Sequence, residues 1–168
     1  MIPCRRLTAA DAPAFRALRL EAFRLHPKDF RFAPEDESGI PMDATAARLE
    51  GEFVIGADMD GTLVGIGGLG RVQGAKLDHR ALIWGMYVRA DHRGTGVADQ
   101  IMSMLMDHAR GLVDSVVLTV VAGNPRARRF YERWGFVEYG TDPAVIRLPG
   151  GDHLDETLMI ADLAQGMS

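Results

Sequence analysis

The stretch from Met86 to Ala98 contains residues suited to holding an anion. Its sequence, MYVRADHRGTGVA, runs from an apolar segment into a turn that includes Gly94 and Gly96. Glycine has no Cβ, so the backbone of the turn can take unusual dihedral angles and approach a bound group closely. Arg93 stands at the start of the turn with a guanidinium group that can donate two parallel hydrogen bonds. The stretch therefore indicates either a phosphate site or a tight turn that only begins a helix.

A predicted strand leads into this turn and a predicted helix follows it. Residues 81–88 are rich in β-branched and aromatic side chains, which is typical of a strand, and from Val97 apolar residues recur every four positions, which indicates a helix. The first N–H groups of that helix have no partner within it, and together with the helix dipole they favour an anion. The apolar run at 116–121 predicts a strand buried on both faces. Residues 81–121 therefore predict a β-α-β unit with two parallel strands.

Two other phosphate-binding motifs do not fit this chain. No Lys-Ser or Lys-Thr follows the glycines, as a P-loop requires, and Asp99 stands where a dinucleotide-binding turn has its third glycine. Residues 65–70, GIGGLG, have the dinucleotide spacing, but residues 71–80 show no helical period after them. We therefore keep the turn at 93–98 as the candidate anion site.

Composition narrows the classes of protein. The chain has 168 residues, of which 47% are hydrophobic, so residues 1–168 have the size of one domain. The net charge of −4 argues against general nucleic-acid binding. The single cysteine, Cys4, excludes an internal disulfide, and no stretch resembles a signal peptide or a membrane span. We expect a cytoplasmic protein with no nucleic-acid partner, no membrane partner and no metal ion.

The other segments predict further helices and strands around the β-α-β unit. A first helix follows a capping-box-like start at residues 8–11, and its apolar face would consist of Ala14, Leu18, Ala22 and Leu25. A hairpin is predicted at Asp60-Gly61. The remaining predictions are an irregular loop at 26–42, a short helix at 43–50, strands at 53–59 and 62–72, and closing strands at 136–139 and 156–163.

Residues 124–136, NPRARRFYERWGF, predict a helix with clear limits. Asn124 is a good N-cap residue, Pro125 suits the first helical position, and Gly135 suits the position just past the last turn. One face carries Ala127, Phe130, Tyr131 and Trp134. On its own, this stripe is explained by an amphipathic helix that packs on the sheet.

The two segments together resemble the GNAT-type N-acetyltransferase superfamily. HRGTGVA follows a strand, and NPRARRFYERWGF follows about thirty residues later, in the order and spacing of that family. The resemblance implies an α/β (α+β) fold with a mixed, mostly antiparallel central sheet flanked by helices. It also implies that the two parallel central strands splay apart and that the cofactor acetyl-CoA enters the gap between them.

The resemblance assigns cofactor-binding residues to three places. The backbone N–H groups that would cap the diphosphate of coenzyme A are those of Arg93, Gly94, Thr95, Gly96, Val97 and Ala98. The strand residues that would pair with the pantetheine arm are Met86, Tyr87 and Val88. From the second segment, Asn124 and Phe130 would contact the cofactor, and the N-cap role of Asn124 is compatible with that contact.

Tyr131 matches the family tyrosine that resembles a general acid, although it could be only a core aromatic residue. A phenol with a pKa of about 10 is able to protonate a departing thiolate with a pKa of about 8.5. The implied reaction is direct attack of a primary amine on the acetyl thioester with both substrates bound. The N–H group of Val88 would then meet the charge that grows on the carbonyl oxygen.

The acceptor side is predicted only in outline. Residues expected to bind the amine are His26, Phe30, Glu35, Glu37 and Trp84, and candidates for the general base are His26, Glu35, Asp36, Glu37 and His79. Each base candidate is also explained as an ordinary solvated residue. The acidic run at 35–37 favours a cationic acceptor such as a polyamine, or a solvated surface.

One residue departs from the family pattern. Asp91 stands where the family loop often has Gln or Arg. A carboxylate beside a diphosphate would weaken cofactor binding unless its side chain points away.

The expected function is transfer of an acetyl group from acetyl-CoA to the primary amine of a small molecule. A protein or peptide acceptor is one alternative, and a non-catalytic sensor that binds acyl-CoA is another. Tyr131 favours the enzyme, while the absence of an identified base keeps the sensor open. The identity of the acceptor and the oligomeric state, including a homodimer, are open at this point.

Overall fold

The computed structural model describes residues 1–164 and shows a seven-stranded sheet with helices on both faces. The strands are β1 (Cys4–Arg6), β2 (Phe53–Met59), β3 (Thr62–Arg71), β4 (Arg80–Val88), β5 (Ser115–Val121), β6 (Val137–Arg147) and β7 (His153–Asp162). The helices are α1 (Ala12–Leu25), α2 (Pro34–Ser38), α3 (Met42–Gly51), α4 (Val97–Arg110) and α5 (Pro125–Arg133). None of the helices within residues 1–164 has the length and apolar character needed to cross a membrane.

The strand order is β1-β2-β3-β4-β5-β7-β6, and every neighbouring pair is antiparallel except β4 and β5. The predicted fold class, the hairpin at Asp60-Gly61 and the β-α-β unit are therefore confirmed. A parallel pair needs a long crossover, and α4 supplies it between β4 and β5.

The two parallel strands pair only where they begin. The paired residues are Arg80–Leu82 on β4 and Ser115–Val117 on β5. Further along, β4 contains a bulge at which one residue of β3 faces both Gly85 and Met86, and Gly85 has a positive φ of 69°. A bulge bends its strand and increases the local twist, so β4 turns away from β5 and the pair splays open.

Two apolar cores hold the sheet, one on each face. On one face α4 buries Ile101, Met102 and Leu105 against the strands, together with Phe136 and Met159. On the other face α1 and α3 bury the second core, which consists of Leu7, Ala12, Phe15, Leu18, Ala22, Phe23, Leu49, Val54, Leu63, Ile66 and Tyr87. Helices on both faces leave the splayed end of β4 and β5 as an opening into the molecule.

The predicted apolar face of the first helix was wrong at both ends. Ala14 is exposed, and Leu25 is 65% exposed. The buried stripe is centred instead on Phe15 and Phe23, whose rings cover far more apolar area than an alanine does. The helix is therefore rotated relative to the predicted face.

The segment predicted as an irregular loop at 26–42 contains helix α2. Pro34 occupies its first turn, and the Ala33 N–H donates to the Asp36 carboxylate at 2.7 Å. This short helix places Glu37 against α1, where its carboxylate accepts a hydrogen bond from Arg19 Nε at 2.9 Å and both side chains are buried. Burial lowers the pKa of Arg19, and the adjacent Glu37 carboxylate partly offsets that effect.

The closing strands are longer than predicted. Strand β6 continues through Pro143 to Arg147, whereas the sequence predicted its end at residue 139. β6 lies at the edge of the sheet, and a register irregularity between Asp142 and Ile146 accommodates the proline there. The Ala144 N–H, at a positive φ of 51°, donates to Asp155 on β7 at 2.7 Å.

The ion pair between α1 and α2 yields a prediction about stability. Glu37→Gln leaves the buried Arg19 guanidinium without a counter-ion, so the free energy of unfolding should fall by about 3 kcal/mol. The measurement is urea unfolding at neutral pH. The matched control is Glu35→Gln on the exposed side of the same helix, which should change that free energy by less than about 0.5 kcal/mol. Equal effects of the two substitutions would contradict a structural role for Glu37.

Candidate functional site

The opening between β4 and β5 leads into a cavity of ≈ 770 Å³. It runs from the turn before α4, between the splayed strands, to the segment that joins α1 and α2. Its walls include the ends of both parallel strands and one side of α5. The residues predicted for cofactor or acceptor that line it are His26, Phe30, Trp84, Met86, Tyr87, Val88, Arg93, Gly94, Gly96, Ala98, Asn124, Phe130 and Tyr131.

The glycine turn lies at one end of the cavity and has the backbone that the sequence predicted. Gly94 and Gly96 have positive φ angles of 74° and 87°, and Gly96 is the N-cap of α4. The first helical hydrogen bond joins the Gln100 N–H to the Gly96 carbonyl oxygen. The N–H groups just before Gln100 therefore have no carbonyl one turn behind them, and free donors at a helix N-terminus are a geometry that can hold an anion.

Guanidinium groups add positive charge at this end. Arg93 Nε donates to the Val88 carbonyl oxygen at 3.3 Å, which holds the side chain against the end of β4. Burial, and then the nearby positive charge of Arg126, lower the pKa of Arg93. Arg129 and Arg133 from α5 also line the cavity. A bound anion would relieve the repulsion between Arg93 and Arg126.

Asp91 does not face this positive end. Its side chain is 77% exposed, and its Oδ1 lies 3.8 Å from Nε2 of the adjacent His92. It is also not among the residues that line the cavity. The Asp91 side chain therefore points away from the cavity. In that orientation its carboxylate is not expected to weaken the binding of a diphosphate.

Helix α5 carries Tyr131 into the cavity wall. Asn124 caps the helix by accepting a hydrogen bond from the Ala127 N–H at 3.2 Å, as predicted. The Tyr131 ring packs edge-on against Phe130 and Phe136, with centroid distances of 5.3 and 6.0 Å. Desolvation raises the pKa of Tyr131 above its ordinary value. This protonated hydroxyl has no hydrogen-bond partner within residues 1–164, although the residue lines the cavity.

Strand β4 turns a free N–H group toward the opening. The Arg89 N–H, just past the end of β4, donates to the Val64 carbonyl oxygen on β3 at 2.9 Å. In an antiparallel ladder, consecutive residues direct their N–H groups to opposite sides. The Val88 N–H therefore points away from β3, into the gap where β5 no longer pairs with β4.

Aromatic side chains form the end of the cavity nearest α1 and α2. Tyr87 lies 6.1 Å from Phe30 and 5.7 Å from His26 between ring centroids, and its hydroxyl donates to Glu21 at 3.3 Å. The indole of Trp84 lies under the Arg48 guanidinium, whose Cζ is 3.5 Å from the ring centroid. Three of the five predicted acceptor residues, namely His26, Phe30 and Trp84, thus line the cavity.

The acidic residues predicted for the acceptor side do not reach the cavity. Glu35 and Asp36 lie on the exposed side of α2, and Glu37 is engaged with Arg19. His79 also lies outside the cavity lining. These four residues therefore lie outside the cavity and are not placed to act as bases or acceptor contacts there. The polyamine preference that rested on the acidic run loses its support, because arginine side chains line this end.

The sequence missed several cavity residues. Arg19, Arg31 and Arg48 come from α1, the α1–α2 segment and α3, and Glu156 comes from β7. Glu156 reaches the cavity because β7 pairs with β5, with Glu156 opposite Val121. No local pattern around residue 156 reveals this long-range pairing, because Glu156 stands among other polar residues in the first half of β7.

A family model identifies the class of protein to which this chain belongs. Residues 15–136 match the model of the acetyltransferase (GNAT) family, and the chain belongs to that family. The resemblance inferred from the two motifs is confirmed.

The chain has named relatives of similar sequence or structure. It is 31% identical over 133 residues to the mycothiol acetyltransferase of Brachybacterium faecium, an alignment that covers 79% of this chain and 39% of the relative. It thus spans well under half the length of that curated relative. Similar solved structures include an acetyltransferase of GNAT family from Streptococcus pneumoniae (TM-score 0.85, 18% identity, 96% of this chain and 99% of the other). A putative acetyltransferase from Salmonella typhimurium, solved with its cofactor acetyl-CoA, is also similar (TM-score 0.82, 22% identity, 97% and 94%).

The turn before α4 yields a test of the backbone conformation. Gly96→Ala places a Cβ on a residue with a positive φ, which should lower the free energy of unfolding by about 1–2 kcal/mol although there is space for the methyl group. Gly111→Ala at the other end of the same helix is the matched control, since Gly111 has a φ of −85°. The control should be neutral or stabilising by up to about 1 kcal/mol. Thermal and urea unfolding of both variants would show the difference, and equal effects would contradict the left-handed conformation at Gly96.

Proposed function

We propose that this protein transfers the acetyl group of acetyl-CoA to the primary amine of a small molecule, in a complex that holds both substrates. Membership of the acetyltransferase family supports the reaction class. The relative named mycothiol acetyltransferase supports a small-molecule acceptor. The observation that carries the proposal is one cavity that joins an anion site at a helix N-terminus to a phenol with a free hydroxyl.

The residues present fit coenzyme A. The diphosphate would meet the open N–H groups between Gly94 and Ala98 and the guanidinium groups of Arg93 and Arg126, all at one end of the cavity. The free edge of β4 at Met86–Val88 offers backbone groups to the amide-containing pantetheine arm, as an added strand would use them. The glycines have open space above them, so a phosphate can approach the backbone.

The chain's own groups suit acyl transfer to an amine. When bound, acetyl-CoA supplies a thioester whose carbonyl carbon accepts the amine and whose sulfur departs. The Val88 N–H is an oriented donor in the gap, placed to stabilise negative charge on a carbonyl oxygen. The Tyr131 hydroxyl lines the same cavity and retains its proton, so it can give that proton to the departing sulfur.

The proposed setting follows from composition. A single cysteine and a net charge of −4 suit a protein of the reducing cytoplasm that acts on small molecules.

The two alternatives to this proposal are an enzyme that acetylates a peptide and a sensor without catalytic activity. The following experiments distinguish them from it.

Tyr131→Phe tests the general acid. The substitution keeps the ring and removes the proton donor, so kcat should fall about 100-fold or more while the dissociation constant for coenzyme A stays unchanged. The assay is release of coenzyme A thiol from acetyl-CoA against a panel of amines and short peptides. The matched control is Tyr139→Phe, an exposed tyrosine on β6, which should keep full activity.

The pH dependence of the same reaction has a definite sign. A general acid loses activity as pH rises through its pKa, and burial raises the pKa of Tyr131. Deprotonation of this group should therefore cause no loss of kcat below pH ~10, the ordinary value for tyrosine.

Three outcomes of the thiol-release assay would contradict the proposal. Full activity of Tyr131→Phe would remove the acid role. Binding of coenzyme A without turnover on any amine would favour the sensor, and turnover of peptides alone would favour a protein acceptor.

Arg93→Gln tests the diphosphate site. Loss of one charged donor should weaken coenzyme A binding by about 10-fold to 100-fold, the range expected for a hydrogen bond to a charged group. Isothermal titration with coenzyme A measures the dissociation constant directly. Arg147→Gln, on the exposed edge of β6, is the control and should bind as the unaltered protein does. A dissociation constant for Arg93→Gln within about twofold of the control would contradict the placement of the diphosphate.

A further inference from the structure

Glu156 is a buried carboxylate in the wall of the cavity, and the chemistry described so far does not use it. The residue is 2% exposed and is part of the cavity lining. The Thr119 hydroxyl donates to its Oε2 at 3.2 Å, and Arg31 Nη2 lies 3.4 Å from its Oε1. A buried carboxylate is costly without a positive partner, so a half-exposed arginine side chain balances this charge.

The strand register places Glu156 beside the reacting end of the cavity. Glu156 lies opposite Val121 on β5, and β5 pairs with β4 in the register Leu82 to Val117. If this register is carried forward along both strands, Val121 stands at about the level of Met86. Glu156 therefore lies across the splay from the β4 edge that ends in the Val88 N–H.

Glu156 and Tyr131 lie on opposite faces of the sheet. The Tyr131 ring packs with the core on the α4 face. Glu156 shares a face with its partner Thr119 and contacts Arg31, which follows Phe30 in the core of the α1 face. An amine that entered from the α1 side would thus meet the carboxylate before the thioester, with the phenol beyond.

The other carboxylates of the cavity are engaged elsewhere. Asp99 accepts a hydrogen bond from Trp134 Nε1 at 2.8 Å, which ties it to the contact between α4 and α5. Asp29 lies at the rim, where its carboxylate is 3.9 Å from His26 Nδ1. Among the cavity residues that the structure describes, Glu156 is the only one with a buried carboxylate.

Arg31 is a counter-ion that can leave. Its side chain is 46% exposed, and it belongs to the segment between α1 and α2 rather than to a helix or strand. Within residues 1–164 its one ion-pair partner is Glu156. An ammonium group that entered the cavity could replace the guanidinium without leaving the carboxylate unpaired.

We propose that Glu156 binds the ammonium group of the acceptor and takes its proton, and that Arg31 holds the place of that ammonium when no acceptor is bound. This inference rests on the proposed acetyl transfer.

An amine with a pKa near 10 is mostly protonated at neutral pH and cannot attack until it loses a proton. One proton passes from nitrogen to the Glu156 carboxylate and on to solvent, which frees the lone pair that forms the N–C bond as the C–S bond breaks. Tyr131 gives its proton to the sulfur, and the second proton shed by nitrogen restores Tyr131, so one proton is released overall.

The first experiment compares Glu156→Gln with Glu35→Gln in the thiol-release assay, with the best amine from the panel. Glu156→Gln keeps the size of the side chain and its acceptor for Thr119 but cannot take a proton, so kcat/KM should fall about 100-fold or more. The acid limb of the kcat/KM profile, which requires an ionised carboxylate, should disappear. The charged groups that face Glu156 are Arg31 and, directly opposite on β6, Asp142. Glu35→Gln should behave as the unaltered protein does.

A second variant keeps the test decisive if Glu156→Gln does not fold. Arg31→Met removes the competing cation from the surface, so KM for the amine should fall several-fold while KM for acetyl-CoA stays constant. An unchanged or raised KM for the amine would overturn the role of Arg31, and an unchanged pH profile in a folded Glu156→Gln would overturn that of Glu156. Failure of the unaltered protein to turn over any amine would instead overturn the proposed acetyl transfer itself.

Discussion

The separation of two parallel strands is the constraint on which this structure depends. β4 and β5 share a ladder for three residues each and then part, because the bulge at Gly85 bends β4. Inside a protein, backbone N–H and C=O groups without a partner are costly. The parted strands expose such groups to a cavity, so a ligand with its own amides, or water, must satisfy them. The fold thus leaves backbone donors and acceptors available to a ligand in the cavity.

The ends of the cavity differ in how they balance charge. At the α4 end, Arg93 and Arg126 repel each other beside open helix N–H groups, and burial increases the cost of the charge on Arg93. At the α1 end, each buried charge has a partner, with Arg19 on Glu37 and Arg31 on Glu156. An anion is therefore favoured at the first end. At the second end, a cation that binds Glu156 must displace Arg31, because the Glu156 carboxylate already has that guanidinium group as its partner.

Local sequence signals predicted the elements whose cause is local. The turn at Gly94 and Gly96, the cap at Asn124 and the hairpin at Asp60-Gly61 depend on glycine conformations and on hydrogen bonds within a few residues. Those features agree with the prediction. The face of α1 was misplaced because small alanines were given the same weight as Phe15 and Phe23. The predicted end of β6 at residue 139 was too early, since an edge strand tolerates a proline, here Pro143, that a central strand does not.

The sequence by itself determined the β-α-β unit, the glycine turn before α4, the helix that carries Tyr131 and hence the family. Each of these is encoded in a continuous stretch of chain, where periodicity, caps and turn residues act at short range. Only the tertiary structure decided which side chains line the cavity at its α1 end. Arg31 and Glu156 lie there and Glu35 and Glu37 do not, because these positions depend on the packing of α2 against α1 and on the pairing of β7 with β5. Contacts between residues so far apart in the chain leave no periodic trace in a single sequence.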